Sequence, residues 1–197
     1  MRLLYSALFI LSSSFAFAQT WEPVGPGITS WDTNELPVYT LCEYNVKLYA
    51  GGTFHSAGKL KTNYVASWDG KNWDTLSIGT NGIVTAMTVY KNALCVGGGF
   101  NKAGRKRANN VAEWVDTTRT VPAWHVLGKG ISRMDFYDDK GKPVYNILDH
   151  VIASLTEYKE ELYACGNFSY TGDGLRANFI SKWNGYIRAR NFIQLAR

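Results

Sequence analysis

The chain contains the segment Leu48-Tyr49-Ala50-Gly51-Gly52-Thr53-Phe54, and the pattern of this segment returns twice further along the sequence. Residues 94–100 and 162–168 repeat the leading leucine, the second glycine and the closing phenylalanine. A tryptophan follows each phenylalanine after 14, 14 and 15 residues, at Trp68, Trp114 and Trp183. Since about a dozen positions recur in register, we identify an internal repeat of supersecondary size.

Further repeated positions lie on both sides of this stretch. Upstream, each copy has two apolar residues and a tyrosine at matching places: Val38, Leu41 and Tyr44; Val84, Met87 and Tyr90; Ile152, Leu155 and Tyr158. Downstream, the first two copies end in Trp-x-x-Leu, and Trp21-x-x-Val24-Gly25 is an incomplete leading copy of that ending. The repeat cores therefore cover about residues 38–76, 84–127 and 152–186.

Each repeat reads as four short strands. In the second copy, β-prone residues 84–90 end at the turn-favouring pair Lys91-Asn92, residues 94–100 and 110–114 form two further strands, and a fourth begins at the next tryptophan. Four strands in roughly 40–50 residues, with periodic glycine and aromatic positions, are typical of a β-propeller blade. The sequence predicts an all-β fold, a partial β-propeller of about three four-stranded blades, and leaves a stacked solenoid and a β-sandwich as alternatives.

The string Leu-Tyr-x-Gly-Gly-x-Phe, followed by Ala-Gly and by Asn-x-x-Ala-x-Trp-Asp-Gly, resembles the kelch-like repeat of secreted bacterial β-propellers. It is also similar in style to the galactose-oxidase-type central domain. The resemblance covers about residues 21–186 and implies a propeller fold. It implies little about activity, because propellers carry many unrelated functions.

The chain departs from that family in three ways. Gly98 and Gly166 are 68 residues apart, whereas Gly52 and Gly98 are 46 apart, and a polar loop near residues 132–143 holds the excess. Three units are fewer than the four to eight that close a propeller. The tail, residues 187–197, loses the repeat. We expect a fragment of a longer protein, with further blades or self-association closing the ring.

The N-terminal residues 1–18 have the pattern of a signal peptide. Arg2 precedes the apolar run of residues 3–11, and Ala16-x-Ala18 supplies the small residues that signal peptidase prefers, so we expect cleavage after Ala18. A buried helix or an uncleaved anchor is the alternative. The run is too short for a span of about 20 apolar residues, and no second one follows. The sequence predicts a secreted or cell-surface protein that does not span the membrane.

The three cysteines, Cys42, Cys95 and Cys165, lie in apolar, strand-like contexts. No two of them are close enough in sequence for a zinc signature. We expect buried, unpaired thiols that pack as small apolar groups, with one bridge between neighbouring strands as the alternative.

No catalytic or metal-binding constellation emerges from the sequence. The histidines are isolated, at His55, His125 and His150, and lack the pairing that a galactose-oxidase-type copper site needs. The carboxylates of residues 135–139 lack the calcium-loop pattern, and no Gly-x-Ser-x-Gly elbow is present. We expect no cofactor and no metal.

The most suggestive polar feature is a set of cations in the loop that follows each glycine strand: Lys59, Lys61, Arg105, Lys106, Arg107 and Arg176. Corresponding loops of a propeller lie on one rim, so these cations are expected to gather there. Such a surface attracts an anionic glycan, an envelope polymer or an acidic protein partner. Ordinary solvated charge is the alternative reading, and nucleic acid is not expected because stacking aromatics do not interleave with the cations.

Together these features predict an exported repeat module that binds or scaffolds at the cell surface without catalysis. An extracellular carbohydrate-active hydrolase or oxidase built on the same ring is the alternative from another class. A truncated, non-functional gene product is the third, suggested by the lost repeat at residues 187–197.

Overall fold

The computed structural model describes residues 20–29, 37–116, 121–132, 152–183 and 185. These residues form an all-β structure, and none of them is helical. In chain order the strands are β1 (Ile28–Thr29), β2 (Val38–Tyr44), β3 (Lys47–Gly52), β4 (Ser56–Ala57), β5 (Leu60–Lys61), β6 (Val65–Trp68), β7 (Trp73–Thr75), β8 (Ile83–Tyr90), β9 (Ala93–Gly99), β10 (Lys102–Ala103), β11 (Lys106–Arg107), β12 (Val111–Val115), β13 (Ala123–Val126), β14 (Ile131–Ser132), β15 (Ser154–Tyr158), β16 (Glu161–Cys165), β17 (Tyr170–Thr171) and β18 (Ile180–Trp183).

Three antiparallel sheets follow the three repeats. The first sheet has the order β2-β3-β6-β7, the second β8-β9-β12-β13 and the third β15-β16-β18. The strands predicted at residues 84–90, 94–100 and 110–114 are confirmed to within one residue. The signal peptide predicted at residues 1–18 and the tail at 187–197 lie outside the described residues.

Tight turns join the first two strands of every sheet. Lys91 and Asn92 have φ values of 45° and 59°, and the pairs Asn45-Val46 and Lys159-Glu160 are also left-handed at both positions. Two consecutive residues of positive φ give a turn whose twist matches the strands it joins. The turn-favouring pair seen in the sequence therefore marks a hairpin that recurs in each repeat.

Successive sheets pack face to face. We call the face toward the preceding repeat the front and the other face the back. The back of the first sheet, with Tyr49 and Val65, packs on the front of the second, with Val96 and Trp114. The back of the second sheet packs in the same way on the third, where Cys95 and Val111 meet Ile152, Leu155 and Leu162. Burial of these repeated apolar positions is the main stabilising contribution to the fold.

The recurrent glycines permit this close packing. Gly97 lies in β9 under the third sheet, and a Cβ atom added there would stand 2.6 Å from Ile152 Cγ2. Gly51 occupies the same place in the first sheet, where an added Cβ would overlap Val84 and stand 2.8 Å from Met87 Cε. Glycine in a strand often marks such a close approach of another backbone.

Small hairpins tie each repeat to the one before it. The hairpin β4-β5 pairs with β1, Ala103 of β10 forms a bridge with Thr80, and β17 pairs with β14. One backbone hydrogen bond recurs in every repeat: Gly58 N to Gly27 O at 2.8 Å, Gly104 N to Gly79 O at 2.7 Å, and Gly172 N to Gly130 O at 2.8 Å. The segment that ends one repeat thus becomes part of the next.

The cysteines correct one expectation. All three are unpaired, and Cys95 is buried as predicted, but Cys42 is half-buried and Cys165 is exposed. The prediction of burial is wrong for Cys165 because it occupies, on the back of the third sheet, the place that Gly51 and Gly97 hold in the others, and no described sheet follows it. Of the repeated tryptophans, Trp114 is buried, whereas Trp68 and Trp183 are half-buried.

The reactivity of the three thiols should follow their exposure. In the native protein we expect iodoacetamide to modify Cys165 first, Cys42 more slowly, and Cys95 only after unfolding. Burial raises the pKa of the Cys95 thiol, and burial together with the Glu43 charge raises the pKa of Cys42, so both hold less of the reactive thiolate. Timed alkylation followed by peptide mass spectrometry measures the order. Modification of Cys95 as fast as Cys165 would contradict the packing of the second sheet on the third.

Candidate binding surface

The loops that follow β3, β9 and β16 all lie at one end of the sheets. They cover residues 53–64, 100–110 and 166–179, and they contact the links at 77–82 and 127–131. The turns between the first two strands of each sheet lie at the opposite end, because adjacent strands are antiparallel. We call the end formed by the loops after β3, β9 and β16, which carry the small hairpins, the hairpin end of the molecule.

All six cations predicted from the sequence lie at the hairpin end and are exposed: Lys59, Lys61, Arg105, Lys106, Arg107 and Arg176. Three of them hold equivalent positions across the small hairpins. Lys61 pairs with Ser56, Arg107 pairs with Lys102, and Arg176 forms a bridge with Tyr170. The repeat therefore presents one cation per hairpin in the same local geometry.

Hydrogen bonds orient two of these three side chains. Arg107 Nε donates to Asn109 Oδ1 at 3.4 Å, and Arg176 Nε donates to Asn178 Oδ1 at 3.0 Å. Each bond uses one of the five N–H donors of a guanidinium group. Lys106 differs, because its Nζ donates to the Trp124 carbonyl at 2.7 Å and so ties the hairpin to the second sheet.

The structure adds two cations that the sequence reasoning missed. Lys102 lies in β10, and Lys129 lies in the link after the second sheet, where its Nζ is 3.1 Å from Asp173 Oδ1. Lys129 lies between Gly128 and Gly130, in the link that follows the Trp-x-x-Leu ending of the repeat. The repeated position of this link is the sequence signal that could have placed Lys129 at the hairpin end. Among the described residues, the hairpin end holds eight lysines and arginines but only Glu22 and Asp173 as acids.

The opposite end has a different electrostatic character. Its acidic side chains include Glu43, Asp69, Asp116, Glu157, Glu160 and Glu161. They lie among the lysines of the turns, Lys47, Lys71, Lys91 and Lys159. Charges of both signs are therefore interspersed at the opposite end, whereas cations predominate at the hairpin end.

A concave site lies between the first and second sheets, beside their outer strands. It is a cleft of about 230 Å³ lined by Lys47, Tyr49, Ser67 and Asp116 among others. Lys47 Nζ is 3.0 Å from Asp116 Oδ2, and the Tyr49 hydroxyl donates to the same oxygen at 3.3 Å. Burial and the Asp116 charge raise the pKa of Tyr49, which keeps this hydroxyl a donor. The polar groups satisfy one another, so the cluster acts as a clamp between the sheets.

The histidines and acids do not form a metal centre in the described part of the chain. No group of three or more histidine, cysteine, aspartate or glutamate residues with ligand geometry occurs there. The ring of His55 packs edge-on against Tyr64 at 4.7 Å, and His125 lies opposite Glu113 between β13 and β12. His150 and residues 135–139 lie outside the described residues.

The sequences of known proteins add no assignment to this surface. No protein-family model matches the chain, and no curated protein matches it. The resemblance to kelch-like repeats therefore stays a prediction. Across the described ranges, no helix has the length and apolar character to cross a membrane.

Proposed function

We propose that this chain is an exported, non-catalytic binding module, built as part of a β-propeller, whose hairpin end binds a polyanion. The observation that carries the proposal is the charge of that end, where eight cations stand against two acids in the described residues. Clustered cations of one sign raise the local concentration of an anionic ligand and speed its association.

The packing of the sheets supports the propeller arrangement. The first strands β2, β8 and β15 lie next to one another, and each sheet packs its back on the front of the next. A tyrosine at the end of the first strand reaches the next sheet in both junctions: the Tyr44 hydroxyl donates to Asn92 O at 2.9 Å, and the Tyr90 hydroxyl donates to Glu160 O at 3.1 Å. Sheets that pack on one another through the same contact, repeated from each sheet to the next, form a ring when there are enough of them.

The chemistry of the repeated cations favours a ligand with regularly spaced carboxylate or sulfate groups. Arg107 and Arg176 present planar guanidinium groups, which bind such oxyanions through paired hydrogen bonds. Equivalent cations on successive hairpins match a repeating polymer better than a single small anion. We therefore propose an anionic polysaccharide outside the cell as the ligand.

The test compares two variants with the same change in charge. One carries Lys61→Glu, Arg107→Glu and Arg176→Glu at the hairpin end, and the other carries Lys71→Glu, Lys91→Glu and Lys159→Glu at the opposite end. All six side chains are exposed, so both sets change charge mainly at the surface. We expect the first set to weaken binding to a sulfated or uronate polysaccharide by at least about tenfold at 0.1 M salt.

The second set should leave affinity within about twofold of the unmodified protein. Titration calorimetry at two salt concentrations measures both effects, and affinity should fall as salt rises. Equal losses from the two sets, or no polyanion binding at low salt, would show that the hairpin end is ordinary solvated surface.

A further inference from the structure

Among the described residues the third sheet has three strands, whereas the first and second sheets have four. The first sheet ends in β7, where Trp73 pairs with Trp68, and the second ends in β13, where Trp124 pairs with Trp114. The third sheet ends at β18, and no described strand pairs with its outer side. Residues 187–197 do not contain the Trp-x-x-Leu sequence that forms the outer strand in the first two repeats.

The segment Trp21–Val24 has the sequence of an outer strand but pairs with no described sheet. It carries the Trp-x-x-Val form of the repeat ending, but it forms no strand, and Trp21 is fully exposed. The residues after it are bound as in the other repeats. Gly27 O accepts the recurrent bond from Gly58 N, and Ile28 pairs with Ala57, just as Ile131 pairs with Thr171.

The two outermost faces are also complementary. On the back of the third sheet, Tyr158 and Ile180 are 57% and 60% exposed, whereas their equivalents in the second sheet, Tyr90 and Val111, are 2% and 5% exposed. On the front of the first sheet, Leu41 is 60% exposed, whereas Met87 and Leu155 at the same position are buried. Each open face therefore carries the apolar positions that the internal junctions cover.

We propose that a second copy of this chain occupies these surfaces, with its Trp21–Val24 segment added to β18 as the missing fourth strand. The front of its first sheet then covers the back of the third sheet, which continues the interface seen twice within the chain. The inference rests on the propeller arrangement proposed above. When the contact is made in both directions, two chains bring together six described sheets, within the four to eight that close a ring.

The register of the two outer strands predicts which residues meet. Trp73 lies opposite Trp68 and Asp74 opposite Ser67, so in the added strand Trp21 of the second copy lies opposite Trp183, and its Glu22 lies opposite Lys182. Opposite charges facing each other across strands stabilise the pair. Pro23 is also compatible with this place, because proline in sheets is essentially confined to edge strands.

Cys165 makes the junction between copies looser than the internal ones. Cys165 holds the position of Gly51 and Gly97, which pack closely against Val84 and Ile152 of the next sheet. Val38 holds the position of Val84 and Ile152 in the first sheet, so the Cys165 side chain would face Val38 of the second copy. Additional volume at a close contact forces neighbouring groups apart. The association of copies should therefore be reversible, and removing this side chain should strengthen it.

Sedimentation equilibrium of the exported chain tests the proposal. We expect a reversible dimer whose dissociation constant rises at least tenfold with Trp21→Ala and falls at least threefold with Cys165→Gly. Val121→Ala, at a strongly exposed residue just before the outer strand of the second sheet, should change it less than twofold. A monomer at every concentration, or a dimer indifferent to Trp21→Ala, would overturn the proposal.

A disulfide test shows which residues of the two copies pair, and whether a second copy occupies the outer side of β18. In a Cys165→Gly background, mixing copies that carry Glu22→Cys with copies that carry Lys182→Cys should give a cross-linked pair under mild oxidation, and mixing Lys71→Cys copies with Lys182→Cys copies should not. If dimerisation appears only after residues 187–197 are removed, the chain's own tail occupies β18 and the proposal is wrong. Polyanion binding is measured separately on dilute protein, so failure of the pairing and failure of the binding function are distinguishable.

Discussion

Gly97→Cys is expected to destabilise the protein by about 3 kcal/mol, although the third repeat carries a cysteine at the equivalent position. In β9 a Cβ atom would stand 2.6 Å from Ile152 Cγ2 and 3.1 Å from Leu155 Cδ1. Contacts this short force the second and third sheets apart and expose part of the cluster between them. Urea unfolding followed by tryptophan fluorescence measures the loss as a lower midpoint at an unchanged slope.

The matched control is Cys165→Val, which enlarges the side chain at the same place in the third sheet. Since Cys165 is exposed, we expect its free energy of unfolding to change by less than about 0.5 kcal/mol when measured on dilute protein. Comparable losses for Gly97→Cys and Cys165→Val would mean that the two positions have similar surroundings. The face-to-face packing of successive sheets would then be wrong.

The same comparison shows how far the sequence predicted the fold. Strands, hairpin turns and glycine positions were predictable because each is a local pattern repeated at fixed spacing. Burial was not, because it depends on whether another sheet follows. Cys95 and Cys165 both sit in apolar strand contexts, yet Cys95 lies under the third sheet and is buried, whereas Cys165 is exposed.

The candidate surface was predictable to a similar extent. The repeat register placed the six cations in equivalent loops, and the structure places them all at one end. Lys129 was missed because it belongs to the link that ends one repeat and contacts the hairpin of the next. The clamp of Lys47 on Asp116 joins residues 69 positions apart outside the repeat pattern, so no sequence signal marks it.

Trp124→Ala is expected to cost about 3–5 kcal/mol of unfolding free energy, the range for removing a buried aromatic side chain. The indole is 4% exposed, its ring centroid is 5.2 Å from that of Trp114, and it belongs to the cluster between the first and second sheets. Its Nε1 also donates to Leu76 O at 2.8 Å, a bond that reaches the first repeat. Thermal and urea unfolding measure the loss, and Val121→Ala at a strongly exposed site should show none.

Phenylalanine substitutions at Trp124 and Trp73 separate the contribution of the indole hydrogen bond to stability from the contribution of ring packing. Trp124→Phe keeps an aromatic ring but leaves Leu76 O without its donor, at a cost of about 1–3 kcal/mol in addition to the lost ring volume. Trp73 is the equivalent residue in the first sheet, and its buried Nε1 has no hydrogen-bond partner among the described residues. Trp73→Phe therefore relieves an unsatisfied donor and should cost less than Trp124→Phe by at least about 1 kcal/mol. Equal costs would show that the indole bond to Leu76 contributes nothing to holding the second repeat on the first.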